Sequence, residues 1–280
     1  MTVATETVKL GLIGDNIARS QSPRLHELAG ELTGIPVSYG RLIPRDLGQD
    51  FEAVFADARA AGYRGLNITY PYKERVVKLV DIPDGRVAAL GAVNTVLFTE
   101  RGPQGFNTDW SGFTAGYRRA LGGRDPGPVC MIGAGGVGKA VAYALLALGL
   151  TELRLVERDL GKAEALAASL RAAAPGLAVT VTGDAATAAR GAAGLINCTP
   201  VGMVGYDGTP LPRALMAGAE WAFDAVYTPV DTQFLRDAAA EGLAVMSGWE
   251  LYFYQGLHAY EIFHGRPVDE AVLRAALAES

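Results

Sequence analysis

The sequence predicts an α/β fold in two successive domains. Strand-like and helix-like segments alternate through both halves of the chain, the pattern of strands crossed over by helices. A stretch with two Pro and three Gly, GGRDPGP at 122–128, reads as a linker between the two series. The length of 280 residues suggests about two domains if one takes ~100–200.

The elements follow in order. Residues 8–13 read as a short buried strand, and 22–33 as a helix with Leu25, Leu28 and Leu32 on one face. Val37–Ile43 alternates as a strand does, and Asp46 precedes an amphipathic helix through Ala61. Leu66–Thr69 is a strand, with Pro71 suited to the first turn of the next helix. Residues 93–98 are a further strand and 110–121 a helix, so the first sheet is expected to be largely parallel. The second series has strands at Val129–Ile132, Leu153–Glu157, Leu177–Thr182, Gly194–Asn197 and Trp221–Val226. Its helices are Val137–Leu148 and Lys162–Ala174. Two tail helices, near 249–264 and 268–279, are expected to return to the first domain. The domain reading is 1–112, 113–247 and a returning tail, 248–280.

Composition excludes several classes. Half the residues are hydrophobic and the net charge is −5, with no long basic tract, which disfavours nucleic acid as a partner. No stretch reaches the ~18 apolar residues of a membrane span, and the first residues lack a signal-peptide pattern. The two cysteines fit reduced thiols of a cytoplasmic protein. The three histidines show no metal spacing, so no metal is expected. Absence of G-x-S-x-G gives covalent hydrolase chemistry little support.

Gly133-Ala134-Gly135-Gly136-Val137-Gly138 satisfies G-x-G-x-x-G in the required context, after a strand and opening a helix. The first Gly permits the turn, the second admits a pyrophosphate, and the third lets helix and strand pack closely. This makes the second domain a Rossmann-type, doubly wound dinucleotide-binding unit. Glu157 ends the next strand, where a carboxylate accepts ribose hydroxyls and repels the 2′-phosphate of NADP. Arg158 cuts the other way. NAD is the expected cofactor, with NADP the alternative.

Polar groups also interrupt the first domain. Ser20 and Ser22 stand at a turn into a helix, where two hydroxyls can hold a carboxylate or Ser22 can cap the helix. Asn67 and Thr69 share a strand face. Lys73 falls in the expected first helical turn, where a cation opposes the macrodipole. Asn94 breaks an apolar run, and Asp109 reads by itself as a helix cap.

Together these motifs resemble the shikimate/quinate dehydrogenase family over nearly the whole chain. The matching segments are Gly11–Gly14 with Ser20-Gln21-Ser22-Pro23, Asn67 to Lys73, Gly91 to Thr95, Asn107-Thr108-Asp109, the glycine loop, Asn197 to Met203, Asp224 to Pro229, and Gly248 to Gln255. The resemblance implies an N-terminal substrate domain before the dinucleotide domain, and a nicotinamide-dependent oxidoreductase acting on a CH–OH of shikimate or quinate. It implies Lys73 and Asp109 as the catalytic pair. Ser20 and Ser22 would bind the ring carboxylate, and Asn67, Thr69, Asn94, Tyr227 and Gln255 the rest of the ring. Thr199, Pro200, Gly202, Met203, Val226 and Gly248 would join the glycine loop, Glu157 and Arg158 around the cofactor. Glu157-Arg158-Asp159 resembles the NAD-preferring branch, whereas NADP-dependent members carry Asn-Arg-Thr there. That branch often has Thr in place of Ser22, and Trp249 and Glu250 replace smaller residues, so shikimate, quinate and another cyclic polyol acid stay open. An NADP-dependent biosynthetic enzyme and a non-catalytic binding homologue are the remaining alternatives. A homodimer is expected from the frequency of two-fold assemblies.

Overall fold

The computed structural model describes residues 6–279. In chain order the elements are β1 (Val8–Ile13), α1 (Ser22–Thr33), β2 (Val37–Leu42), α2 (Pro44–Leu47), α3 (Phe51–Ala60), β3 (Gly65–Ile68), α4 (Gly85–Leu90), β4 (Thr95–Thr99), β5 (Gly102–Phe106), α5 (Thr108–Leu121), β6 (Pro128–Ile132), α6 (Gly136–Ala147), β7 (Glu152–Val156), α7 (Leu160–Ala173), β8 (Ala178–Thr182), α8 (Ala185–Ala189), β9 (Gly194–Asn197), β10 (Trp221–Asp224), α9 (Gln233–Ala240), β11 (Ala244–Met246), α10 (Gly248–His264) and α11 (Glu270–Ala278). The chain divides into two compact units: one ends at Thr108 and resumes at Gln255, and the other is Asp109–Tyr254.

In the first unit five strands lie in the order β2-β1-β3-β4-β5. β1 is parallel to β2 and β3, but β4 is antiparallel to both β3 and β5, so the sheet is mixed rather than largely parallel. β5 escapes sequence reading because GPQGF carries no apolar alternation; it exists by pairing with β4 across a tight hairpin. Phe51, Val54 and Phe55 of α3 bury one face of the sheet with Leu66, Ile68, Val96 and Phe98. Leu10, Leu12 and Tyr39 on the other face pack against Ala259 and Phe263 of α10. Arg64 Nε reinforces that return, donating to the Phe263 carbonyl at 3.1 Å.

Three local expectations change. The buried stripe of α1 is Leu25, His26, Ala29 and Gly30, while Leu32 is 41% exposed; the helix is rotated relative to its leucine pattern. The helix expected from Asp46 to Ala61 is two helices. α2 stops at Gly48 in the left-handed region, and Asp50 caps α3 by accepting the Ala53 N–H at 2.8 Å. No α-helix opens at Pro71. Lys73 sits in a turn before a single 3₁₀ turn at Val76–Leu79, because its carbonyl accepts the Val93 N–H at 2.8 Å instead of a helical partner. The macrodipole argument for Lys73 therefore falls away.

In the second unit six parallel strands run β11-β10-β9-β6-β7-β8, the doubly wound order with its switch between β6 and β9. β11 has three residues and gave no sequence signal. GGRDPGP lies inside this unit: Arg124 pairs with Glu220 at 2.9 Å, and the Pro126 carbonyl accepts the Trp221 indole N–H at 3.1 Å. Tyr117 and Phe113 of α5 meet Trp221 and Phe223 edge to face, which anchors that helix to the strand ends. Among the described residues no helix is long and apolar enough to cross a membrane.

Candidate active site

The glycine loop joins β6 to α6. Gly133 adopts φ +106, and a Cβ on it would lie 2.8 Å from the Cys198 carbonyl carbon. A Cβ on Gly138 would lie 2.3 Å from the Gly133 carbonyl oxygen, so the helix packs directly on the loop. Gly135 is different: a Cβ there would meet nothing nearer than Lys162 Nζ at 4.0 Å. No side chain caps the start of α6 at Gly135. Space above the second glycine and uncapped N–H groups at a helix start suit a pyrophosphate, so the loop fits a dinucleotide.

Glu157 is locked onto this loop. Its Oε2 accepts the Ala134 N–H at 2.9 Å, and its Oε1 accepts the N–H groups of Arg158 at 2.9 Å and Asp159 at 3.3 Å. Burial raises the Glu157 pKa, but these N–H groups and the Lys162 charge outweigh it and hold the carboxyl below its ordinary value. The carboxylate is ionised at neutral pH and fixed at the end of β7. Arg158 is exposed.

A second network shapes the loops after β9 and β10. Asn197 Nδ2 donates to Asp224 Oδ1 at 2.9 Å and to the Val201 carbonyl at 3.0 Å. Asp224 also accepts the Val226 N–H at 3.0 Å and the Thr232 hydroxyl at 2.7 Å. Burial pushes the Asp224 pKa up to about 6 against these donors. The Asn197 Oδ1 in turn holds Thr199 through its N–H and hydroxyl, which sets the Thr199-Pro200 turn leading to Gly202 and Met203. Val226 is buried, and a Cβ on Gly248 would stand 2.5 Å from its carbonyl oxygen. Tyr227 stacks on Tyr252 with centroids 5.1 Å apart, and Trp249 stacks on Phe253 of its own helix at 5.2 Å.

In the first unit the polar residues gather at the carboxyl ends of β1 and β3. The Ser20 hydroxyl donates to the Ser22 hydroxyl at 3.1 Å and accepts the Ser22 N–H at 3.3 Å. Ser22 is the first helical residue, and Gln21 at the cap position makes no side-chain cap. Thr69 N–H bonds the Ile13 carbonyl at 2.9 Å, and the Tyr72 hydroxyl donates to Asp15 at 2.6 Å. These bonds tie the chain just after β1 to the turn that carries Lys73. Asn67 and Asn94 are both buried and adjoin: Asn67 Nδ2 donates to Thr95 Oγ1 at 3.1 Å and approaches the Asn94 carbonyl at 3.4 Å. Asn94 Oδ1 accepts the Thr108 N–H at 2.7 Å, which fixes the start of the helix that carries Asp109. Gln255 lies on α10 where the chain rejoins this unit.

Sequence reasoning missed four residues here. Arg41 donates to the Ser20 carbonyl at 2.7 Å, Tyr39 donates to Asn67 Oδ1 at 2.7 Å, Thr95 joins Asn67 to Asn94, and Lys162 faces the glycine loop and Glu157. Strand alternation could have paired Tyr39 with Arg41 on one face; nothing local marked their targets.

The family described as "Shikimate dehydrogenase substrate binding domain" matches residues 12–96. A quinate/shikimate dehydrogenase (NAD(+)) of Corynebacterium efficiens is 37% identical, covering 96% of this chain and 97% of that protein. A shikimate dehydrogenase (NADP(+)) of Pseudarthrobacter chlorophenolicus is 38% identical, covering 100% and 97%. The solved quinate dehydrogenase from Corynebacterium glutamicum in complex with NAD superposes with a TM-score of 0.89 at 35% identity, covering 98% of this chain and 99% of that one.

Proposed function

Because the chain belongs to the shikimate/quinate dehydrogenase family, we propose that it catalyses the reversible oxidation of a ring hydroxyl of quinate or shikimate with NAD. The observation that carries the cofactor choice is the ionised Glu157 carboxylate bonded into the glycine loop. Gly133 through Gly138, Glu157, Arg158, the Thr199–Met203 turn, Val226 and Gly248 would hold the cofactor. When bound, NAD supplies the hydride acceptor.

The chain's own residues handle the carboxylate and the proton. Ser20 and Ser22 hold the ring acid through their paired hydroxyls. Thr69, Asn94, Tyr227 and Gln255 complete the ring's surroundings, with Asn67 bracing Asn94. The Lys73 amine takes the proton of the reacting hydroxyl or stabilises the alkoxide as it forms, and the Asp109 carboxylate orients and tunes that amine. Cys130 and Cys198 are free cysteines, which suits a reducing cytoplasm. A homodimer is the proposed assembly, checked by light scattering.

Initial rates with quinate and shikimate, each with NAD and NADP, test the reading directly. The expected result is turnover with NAD favoured. In Glu157→Ala the ratio of kcat/KM for NADP over NAD should rise by about tenfold or more, equivalent to ~1.4 kcal/mol. Strong preference for NADP in the unmodified enzyme would instead give the cofactor choice to the cations Arg158 and Lys162 (the observation behind a second, NADP-dependent reading).

Ser22→Ala tests the carboxylate site. Losing one hydrogen bond to a charged group costs about 1.5–3 kcal/mol, so KM for the ring acid should rise tenfold or more. Since Gln21, not Ser22, occupies the cap position, thermal stability should hardly change. An unchanged KM would remove Ser22 from the binding set.

A further inference from the structure

We propose that Tyr39 is a positioning residue for the reaction, acting through a buried hydrogen-bond chain that ends on the residue before Asp109. The proposal rests on the dehydrogenase reading above. β1 lies between β2 and β3, with Leu10 opposite Tyr39 and Leu12 opposite Asn67. Tyr39 and Asn67 therefore share a sheet face, and the long Tyr39 side chain reaches across β1 to donate its hydroxyl to Asn67 Oδ1 at 2.7 Å.

From Asn67 the chain runs on without a break. Asn67 Nδ2 donates to Thr95 Oγ1 at 3.1 Å. Having accepted there, the Thr95 hydroxyl turns its single proton toward Asn94 Oδ1 at 3.1 Å or Thr108 Oγ1 at 3.1 Å. Asn94 closes on Thr108 with both ends of its amide, accepting the N–H at 2.7 Å and donating to the hydroxyl at 3.0 Å. Tyr39 is 8% exposed, Asn67 5%, Asn94 3%, Thr108 1% and Thr95 0%, so water does not readily replace a lost partner.

His26 completes the seat of Asn67. It stacks on Tyr39 with centroids 4.9 Å apart and hydrogen-bonds the Asn67 side chain, while its Nδ1 has no partner. Burial, with His264 nearby, pushes its pKa down to about 3, so the ring stays neutral. A neutral imidazole can shift its proton between nitrogens and follow either orientation of the amide. The Asn94 carbonyl, an acceptor only, requires the amide nitrogen on its side, and Tyr39 holds the oxygen on the other. Without the Tyr39 hydroxyl, Asn67 loosens and the Thr95 proton is no longer directed at the groups that set Asn94 and the start of α5.

The test compares the intact enzyme with Tyr39→Phe, Thr95→Val, their double variant, and Tyr260→Phe. The last removes a tyrosine hydroxyl bonded to Thr33, outside the chain, and should leave turnover unchanged. Tyr39→Phe should lower kcat about tenfold, the size of one buried hydrogen bond. NAD affinity and melting temperature should stay close to those of the intact enzyme. The double variant should fall well short of the product of the two single losses, because both break one chain. Wild-type-like kcat in Tyr39→Phe, or losses that multiply fully, would overturn the proposal. So would a kcat loss matched by equal loss of NAD affinity and a large fall in melting temperature. If Tyr39→Phe does not fold, Thr95→Val alone must show the kcat loss at unchanged NAD affinity, and wild-type-like kcat there would equally overturn it. Absence of turnover in the intact enzyme would instead sink the functional reading.

Discussion

Lys73→Ala and Asp109→Ala are each expected to lower kcat by at least about a hundredfold, the scale of a lost general acid–base group. NAD affinity, read by direct titration, should change little in either. Within the first unit, Lys73 and Thr108 are each bonded to the segment 93–94. The Lys73 carbonyl accepts the Val93 N–H at 2.8 Å, and the next residue, Asn94, accepts the N–H of Thr108, the residue before Asp109, at 2.7 Å. In the proposed mechanism both act on one proton, so the double variant should fall well short of the product of the single losses. Near-normal kcat in Lys73→Ala would end the mechanism, and fully multiplicative losses would end the pairing.

Alanine at Gly138 and at Gly135 should separate stability from cofactor binding. At Gly138 the new Cβ would stand 2.3 Å from the Gly133 carbonyl oxygen, so backbone must move. Overpacking of this kind costs about 1–3 kcal/mol, and NAD affinity should fall with the melting temperature. At Gly135 the new Cβ would meet only the end of the Lys162 side chain, at 4.0 Å, so the melting temperature should hold. If the pyrophosphate passes over that glycine, NAD affinity should nonetheless drop by about tenfold or more (~1.4 kcal/mol). Thermal melts and cofactor titration on the two variants decide the matter: Gly135→Ala binding NAD as tightly as the parent would mean the loop is not the cradle.

The α/β alternation, the glycine loop and the carboxylate after β7 were legible in the chain because each is local. A period of hydrophobicity, a run of glycines and a strand end are written in a few consecutive residues. The order of motifs also carried the family resemblance. What escaped depends on partners distant in sequence. β5 is a strand because β4 lies beside it, not because GPQGF favours extension. Lys73 stays out of a helix because Val93 takes its carbonyl. α1 is rotated relative to its leucines because the sheet face and α10 bury His26, stacked on Tyr39 and tilted against Phe263. His26 and Tyr39 looked ordinary in the sequence, and their meeting at Asn67 required two parallel crossovers to bring β2 and β3 to either side of β1. Local chemistry identified the groups able to bind and react; burial and long-range hydrogen bonds decided which of them are held, by what, and in which orientation.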